Sequence, residues 1–460
     1  MTHFTSLPRA DEQSVVISAR TVPVADRTIA PVLAVTIIVL LARMTLAILL
    51  IPAWQQPDEP IHVAAAEVWR SRITGTDAGD RGREAEIIRS MIRHSWWRHY
   101  QQPLPPGPPP TRFVETGAVF STIGLVPESS SYAPPYYASV GWLLSLGLRT
   151  TVEHDLYVTR MVSMLFAVGT LWVAYLGSRL ALDELSAATV TSLLALHPQF
   201  AIVSTTAAPD AVVNFAGALL WWQTMSAMRG AHVVWSLTVL WLAAIAAAMV
   251  DPMGIVLIPV AFVATVAAAM KRLRFRWAAA VLVMAVLGIV VAVWTIPAIR
   301  NPLQISMRAA LVPASFAEGV EYAEGFTTFL FESWWYSLGW VRYFAPHWWV
   351  VGATVVTVVA ITGTVRGFAR SADTRRVILL AVLNLACLLA ALAWVFLRVR
   401  IGAQGRYLFP AIVPTLTLMW LGTAAWLPAR LRHIGSIGLV VAFAVLDVIA
   451  LMVVAVPAYL

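Results

Sequence analysis

Two residue types are nearly missing from this chain of 460 residues, which holds one cysteine, Cys387, and one lysine, Lys271. A lone cysteine inside an apolar run supports neither a disulfide framework nor a cysteine metal site. Charge of either sign is scarce too: 12 % of residues are charged against 59 % hydrophobic, and mean hydropathy is +0.76. Those values exclude an ordinary soluble domain. No internal repeat is evident, which argues against an inverted-repeat transporter. No small-residue cleavage site follows the first apolar run, so that run reads as a retained span rather than a signal peptide.

What the chain does have is repeated apolar runs long enough to cross a bilayer. Roughly eleven candidate spans stand at 29–51, 156–180, 187–205, 211–228, 233–250, 254–270, 277–296, 347–365, 377–397, 408–427 and 436–456, giving an all-α polytopic membrane protein with residues 1–28 as a cytoplasmic segment and 29–460 as one transmembrane domain. The net charge of +8 would suggest nucleic acid in a soluble protein. Here the basic residues fall into loops, at Lys271–Arg276, Arg366–Arg376 and Arg430–Arg432, and the positive-inside rule puts all three on the cytoplasmic side. No nucleic-acid partner is expected. The same parity makes the short apolar stretch 134–148 an interfacial helix, because a crossing there would send every later basic loop outward. Two large outer loops result, 52–155 and 297–346. The first contains the proline-rich strut Pro103–Pro110, and the second ends in the aromatic stretch FESWWYSLGWVRYFAPHWW, expected as a re-entrant or surface helix that walls the lipid side of a site.

Charge at a membrane boundary is costly and marks candidate sites. Directly after the first span comes QQPDEPIH, in which Pro57 and Pro60 bracket Asp58 and Glu59 on a stiff corner at a helix start. His62 follows four residues after Asp58 and shares its helical face. The plain alternative is that the carboxylates merely offset the helix dipole. At the same depth the topology collects Asp210, Asp251, and the run Gln404, Arg406 and Tyr407 in AQGRY. Arg406 is the best phosphate ligand among them, since a planar guanidinium binds two oxygens at once. Gly405 would let the backbone approach a ligand.

The motifs QPDEPIH, YAPPYY, HPQF with PDAVVN, WWYSLGW and QGRYLFP, in that order over roughly Pro52–Pro414, resemble the bacterial membrane-protein family catalogued as domain of unknown function 2142. That family in turn resembles the GT-C glycosyltransferases, which use an acidic motif in the first outer loop for transfer from a polyprenyl-phosphate sugar. The resemblance implies an envelope glycosyltransferase of the bacterial plasma membrane, working on its outer face, with a polyprenyl-phosphate sugar as donor and a glycan or glycolipid as acceptor. Asp58 would then serve as base for the acceptor hydroxyl, with Glu59 orienting the acceptor or supporting a divalent metal. His62, Tyr136, Tyr137, Asp210, Gln404, Arg406 and Tyr407 would bind substrate, Arg406 holding the phosphate. A cofactor is not required, and a divalent metal on Asp58, Glu59 and His62 is the one candidate. Two other functions would use the same cavity: a transporter or flippase for a lipid-linked glycan, and a noncatalytic assembly protein.

Overall fold

A computed structural model describes residues 29–75, 82–96, 134–147, 151–230, 232–272, 316–399 and 403–460. Helix dominates because in hydrocarbon every backbone N–H and C=O must be paired within the segment. In chain order the helices are α1 (Ile29–Leu50), α2 (Glu59–Thr74), α3 (Gly82–Arg93), α4 (Pro134–Ser145), α5 (Val152–Ala181), α6 (Glu184–Leu196), α7 (Pro198–Val203), α8 (Asp210–Arg229), α9 (Val233–Val250), α10 (Leu257–Arg272), α11 (Phe316–Trp335), α12 (His347–Phe368), α13 (Ala372–Val399), α14 (Ile412–Ala425) and α15 (Arg432–Ala450). Local chemistry sets several starts. Thr151 accepts from the His154 N–H at α5, and Asp183 accepts from the Ser186 N–H at α6.

Eight stretches are long and apolar enough to cross a membrane: Pro31–Leu50, Val152–Ala181, Val233–Val250, Met253–Lys271, His347–Phe368, Ala372–Ala393, Gly405–Ala425 and Ala429–Tyr459. The protein is thus all-α and multi-pass, with fewer such stretches than the eleven expected. Of the other three, 277–296 lies outside the described residues, as does the Pro103–Pro110 strut. The stretch 211–228 is helical within α8, but Asp210, Asn214, Gln223 and Arg229 make that helix more polar than its neighbours. The third, 187–205, breaks in two. His197 precedes Pro198, takes extended backbone and ends α6.

The break leaves carbonyls without helical partners, and an arginine from another span supplies them. Arg43 of α1 donates to the Ala195 carbonyl and, at 3.2 Å, to that of His197, while its Nε lies 2.6 Å from Asp447 on α15. Charge deep in two spans is therefore used to tie α1 and α15 to the broken helix.

Helix α4 has 12 residues, about 18 Å at 1.5 Å per residue, too short for a hydrocarbon core of about 30 Å. This agrees with its reading as a non-crossing helix. The aromatic stretch departs from expectation: α11 ends at Trp335, and a two-stranded antiparallel hairpin follows, pairing Ser337 with Phe344 and Leu338 with Tyr343. Its tip turns through three left-handed residues, Gly339, Trp340 and Val341. Trp334, Trp335 and Trp349 are buried around His197 and Phe443, so they form core and not a lipid-facing wall.

At the centre stands Gly405–Ala425, 83 % buried, against 22 % for His347–Phe368 at the periphery. Its first turn, Gly405–Ala411, is a 3-10 helix held from two sides. A Cβ on Gly217 would lie 2.1 Å from the Pro410 carbonyl oxygen, and one on Gly405 would lie 2.0 Å from the Trp334 nitrogen. Gly405 thus serves a backbone-to-backbone approach and not, as its place beside Arg406 suggested, an approach to ligand. Gly405→Ala should lower stability by about 1–3 kcal/mol through overpacking, read as a lower unfolding midpoint in detergent. Gly352→Ala on α12, where nothing lies within 4 Å, should leave that midpoint unchanged or raise it.

The two ends of the bundle differ in charge. Arg229 caps the Leu180 carbonyl, Lys271 that of Met228 and Arg370 that of Ala425, all at helix C-termini. The opposite ends of α8 and of Gly405–Ala425 carry Asp210 and Arg406.

Candidate functional site

Three side chains from remote parts of the chain meet at that second end. The corner Ile51–Asp58 leads from α1 into α2, and Asp58 sits at its apex with φ 66°. Asp is among the residues that tolerate this left-handed region. Although Asp58 occupies the N-cap position, its side chain makes no capping bond. Its Oδ2 instead accepts from Arg406 Nη2 at 2.6 Å, while Arg406 Nη1 donates to Asp210 Oδ2 at 3.1 Å. The helix-dipole alternative for these carboxylates is thus not what their contacts serve.

Arg406 is 7 % exposed, Asp210 15 % and Asp58 35 %, so the guanidinium is sealed and Asp58 is the member open to a ligand. Tyr407 accepts from Arg406 Nη2 at 3.3 Å. Arg406 Nε has no partner in the protein. A guanidinium with an unmatched donor and two exchangeable carboxylates is a competent anion site. Burial disfavours the Asp58 charge, but Arg406 and His62 outweigh it and hold its carboxyl below the usual carboxylate range.

His62 stands on α2 with Nδ1 2.6 Å from the Tyr137 hydroxyl, their rings stacked at 5.9 Å, and Tyr136 meets Tyr137 edge-on at 5.1 Å. Burial lowers the His62 pKa against the pull of Asp58 and Asp210, leaving a neutral imidazole at pH 7. Asp251 ends α9 and accepts from the Met253 N–H at 2.7 Å. Burial, then the Asp210 charge, raise its pKa to about 7.

Glu59 goes elsewhere. Its carboxylate forms a two-point pair with Arg160, Nε to Oε1 at 2.7 Å and Nη2 to Oε2 at 2.8 Å, with both side chains 0 % exposed. Arg160 also donates to the carbonyls of Ile51 and Pro52, and the Ala207 N–H reaches Glu59 Oε1 at 3.3 Å. Glu59 is consumed in clamping the corner that presents Asp58, and no catalytic role fits it. The metal set Asp58, Glu59 and His62 therefore does not assemble; among the described residues no three His, Cys, Asp or Glu side chains are grouped to hold a metal.

Two cavities adjoin the triad. One of about 400 Å³ is walled by Gln55, Gln56, Gln199, Gln404 and Arg406 together with the hairpin tip. The other, about 530 Å³ and almost wholly apolar, runs along Pro135, Tyr136, Val140, Phe166, Val212 and Val250, and so ends beside Asp210 and Asp251. Of the residues singled out in the sequence, Asp58, Asp210, Arg406 and Tyr407 are in direct contact. His62, Tyr136 and Tyr137 form the adjoining wall, and Gln404 lines the polar cavity. Arg160 and Gln55 escaped notice. An arginine well inside an apolar run was the available signal for the first, since its partner must be a carboxylate at equal depth.

Fold and site together define a multi-pass α-helical membrane protein with a buried ion triad at one end of its bundle. The sequence pattern described as "Predicted membrane protein (DUF2142)" matches residues 40–415, and the chain belongs to that family. No curated protein and no solved structure matches it.

Proposed function

We propose that this protein is a GT-C-type glycosyltransferase that moves a sugar from a polyprenyl-phosphate carrier to an envelope glycan or glycolipid on the outer face of the plasma membrane. The observation that carries this reading is the Asp58–Arg406–Asp210 triad, which sets an anion-binding guanidinium and a half-exposed carboxylate side by side. The two cavities suit the two halves of such a donor. The apolar one takes the isoprenoid chain and the polar one lies at the phosphate end. The basic helix ends opposite the triad agree with an outward-facing site under the positive-inside rule.

In this mechanism the donor phosphate takes the Arg406 fork from Asp58. Freed of its counter-charge in a partly desolvated place, Asp58 becomes more basic. It accepts the acceptor hydroxyl proton as that oxygen bonds to the anomeric carbon. The bond from that carbon to the phosphate oxygen breaks, and the leaving polyprenyl phosphate stays on Arg406. A single displacement of this kind inverts the anomeric centre.

The test is reconstitution in proteoliposomes with sugar-labelled polyprenyl phosphates and an envelope glycolipid extract. Label passing to the acceptor with equal release of polyprenyl phosphate is the expected result. Label crossing the bilayer still on its carrier would replace this reading with a flippase, and no movement at all would leave an assembly role. The one ionic pair deep in the spans, Arg43 with Asp447, is spent on carbonyls of the broken helix and offers no transport path.

Donor binding should also depend on pH with a definite sign. Below about 7 the Asp251 carboxyl is protonated and neutral. Above it the group ionises, adding negative charge next to Asp210 and repelling the phosphate. KM for donor should therefore rise above pH 7, by up to about tenfold per unit if only the protonated form binds. Asp251→Asn should flatten that rise, and an unchanged profile in the variant would assign the titration elsewhere.

A further inference from the structure

Among the four glutamines that wall the polar cavity, two are fully occupied by the protein. Gln56 Nε2 donates to Thr205 Oγ1 at 3.0 Å and its Oε1 accepts from Thr206 Oγ1 at 2.6 Å. Gln199 Oε1 accepts from the Ser337 N–H at 2.8 Å, and its Nε2 donates to Ser337 Oγ at 3.3 Å. These bonds also hold the cavity's shape, because Thr205, Thr206 and Ser337 belong to the two segments that close it.

Gln55 is different. It is 0 % exposed, yet both Nε2 and Oε1 lack any partner in the protein. Buried amides are almost always matched, and an unmatched pair at a cavity wall points to a ligand that completes it. Arg406 Nε, unmatched as well, lies on the same cavity. Arg406 is also the only charged side chain lining it. The occupant must therefore be neutral and rich in hydrogen-bonding groups over most of its body, with its one anionic end at Arg406. A carboxamide offers a donor and an acceptor side by side, which is what two adjacent hydroxyl groups require. The volume of about 400 Å³ falls in the range of small-ligand sites, roughly 300–1,000 Å³.

We infer that Gln55 is the sugar-reading residue of the site, pairing its carboxamide with neighbouring hydroxyls of the donor monosaccharide in a cavity closed by Gln404 and the hairpin tip Gly339–Val341. This rests on the glycosyltransferase reading given above and extends it to the half of the donor that the ion triad does not touch. Arg406 grips the phosphate whatever sugar it bears. Gln55 distinguishes a glycosylated carrier from a bare one.

The experiment compares dissociation constants of the detergent-purified protein for bare polyprenyl phosphate and for the same lipid carrying a hexose or a pentose. The native protein should bind at least one sugar-bearing lipid about tenfold or more tightly than the bare one, and Gln55→Ala should cut that preference below about threefold while moving the bare-lipid constant by less than about twofold. Gln55→Leu, which removes the unmatched amide, should unfold without ligand at the native midpoint or above it. A purely structural glutamine would instead lower that midpoint. Equal loss of affinity for bare and glycosylated lipid in Gln55→Ala, or a lowered ligand-free midpoint in Gln55→Leu, overturns the assignment and leaves the glycosyltransferase standing. Native protein that binds the bare lipid but prefers no sugar-bearing one overturns it too. If native protein binds no polyprenyl phosphate of any kind, the donor class itself is wrong and the assignment falls with it.

Discussion

Asp58→Asn lowers the turnover number for sugar transfer by about 10²–10⁴-fold, the span that a positioned general base contributes, and leaves the protein folded. Asparagine keeps the size of the side chain and an oxygen to accept from Arg406 Nη2. It is also, with aspartate, among the residues that tolerate the left-handed conformation recorded here at φ 66°. Only the capacity to hold a proton is lost. The donor constant should move far less than turnover, because Arg406 keeps Asp210 as partner and its fork for phosphate. Arg406→Ala behaves in the opposite way. It leaves Asp58 and Asp210 as unpaired like charges and removes the phosphate ligand, so binding fails together with turnover. Transfer at the native rate in Asp58→Asn, with label release measured in proteoliposomes, would remove Asp58 from the chemistry. An unfolding midpoint matching the native one is the companion measurement that excludes mere collapse.

Much of this site was legible because charge at a membrane boundary is rare and topology fixes which boundary charges share an end. Asp58, Asp210 and Arg406 were drawn together on that ground alone, across 348 residues in the case of Asp58 and Arg406. Glu59 was misread for a geometric reason: neighbours in sequence at a helix start point about 100° apart, so adjacent carboxylates need not share a site. Its true partner, Arg160, lay unread inside an apolar run, although an arginine there cannot be left unpaired. The break at His197 was foreshadowed by the following proline, yet the apolar run on both sides masked it. Gln55 carried no signal at all, since an uncharged polar residue at a span edge has neither periodicity nor cost until its surroundings are known. The hairpin after α11 was hidden for a related reason. Tryptophan and tyrosine suit a membrane interface and a protein core equally well, and only packing shows that Trp334 and Trp335 are core.

The largest stability effect should come from Arg160→Ala, at about 3–5 kcal/mol, because removing one member of a fully buried ion pair leaves the other uncompensated. The loss exceeds a simple pair. The Glu59 carboxylate would be stranded at 0 % exposure, and the carbonyls of Ile51 and Pro52 would lose the donors that now lie 3.1 Å away. Those carbonyls and Glu59 belong to the corner that aims Asp58, so activity should fall along with stability. This coupling separates Arg160→Ala from Asp58→Asn, which loses turnover and keeps its midpoint. Arg160→Lys should be intermediate, since an ammonium keeps the charge but cannot present two parallel N–H groups to one carboxylate while reaching two carbonyls. Removing both charges in Glu59→Met with Arg160→Met should recover part of the stability, because no isolated charge remains. Recovery should be incomplete, as the Ala207 N–H and the two carbonyls stay unmatched. Tryptophan fluorescence during thermal unfolding in detergent gives the midpoints for the native protein and the three variants, and a double-mutant cycle isolates the pair itself. An Arg160→Ala midpoint within a degree of native would show that the corner stands without its clamp.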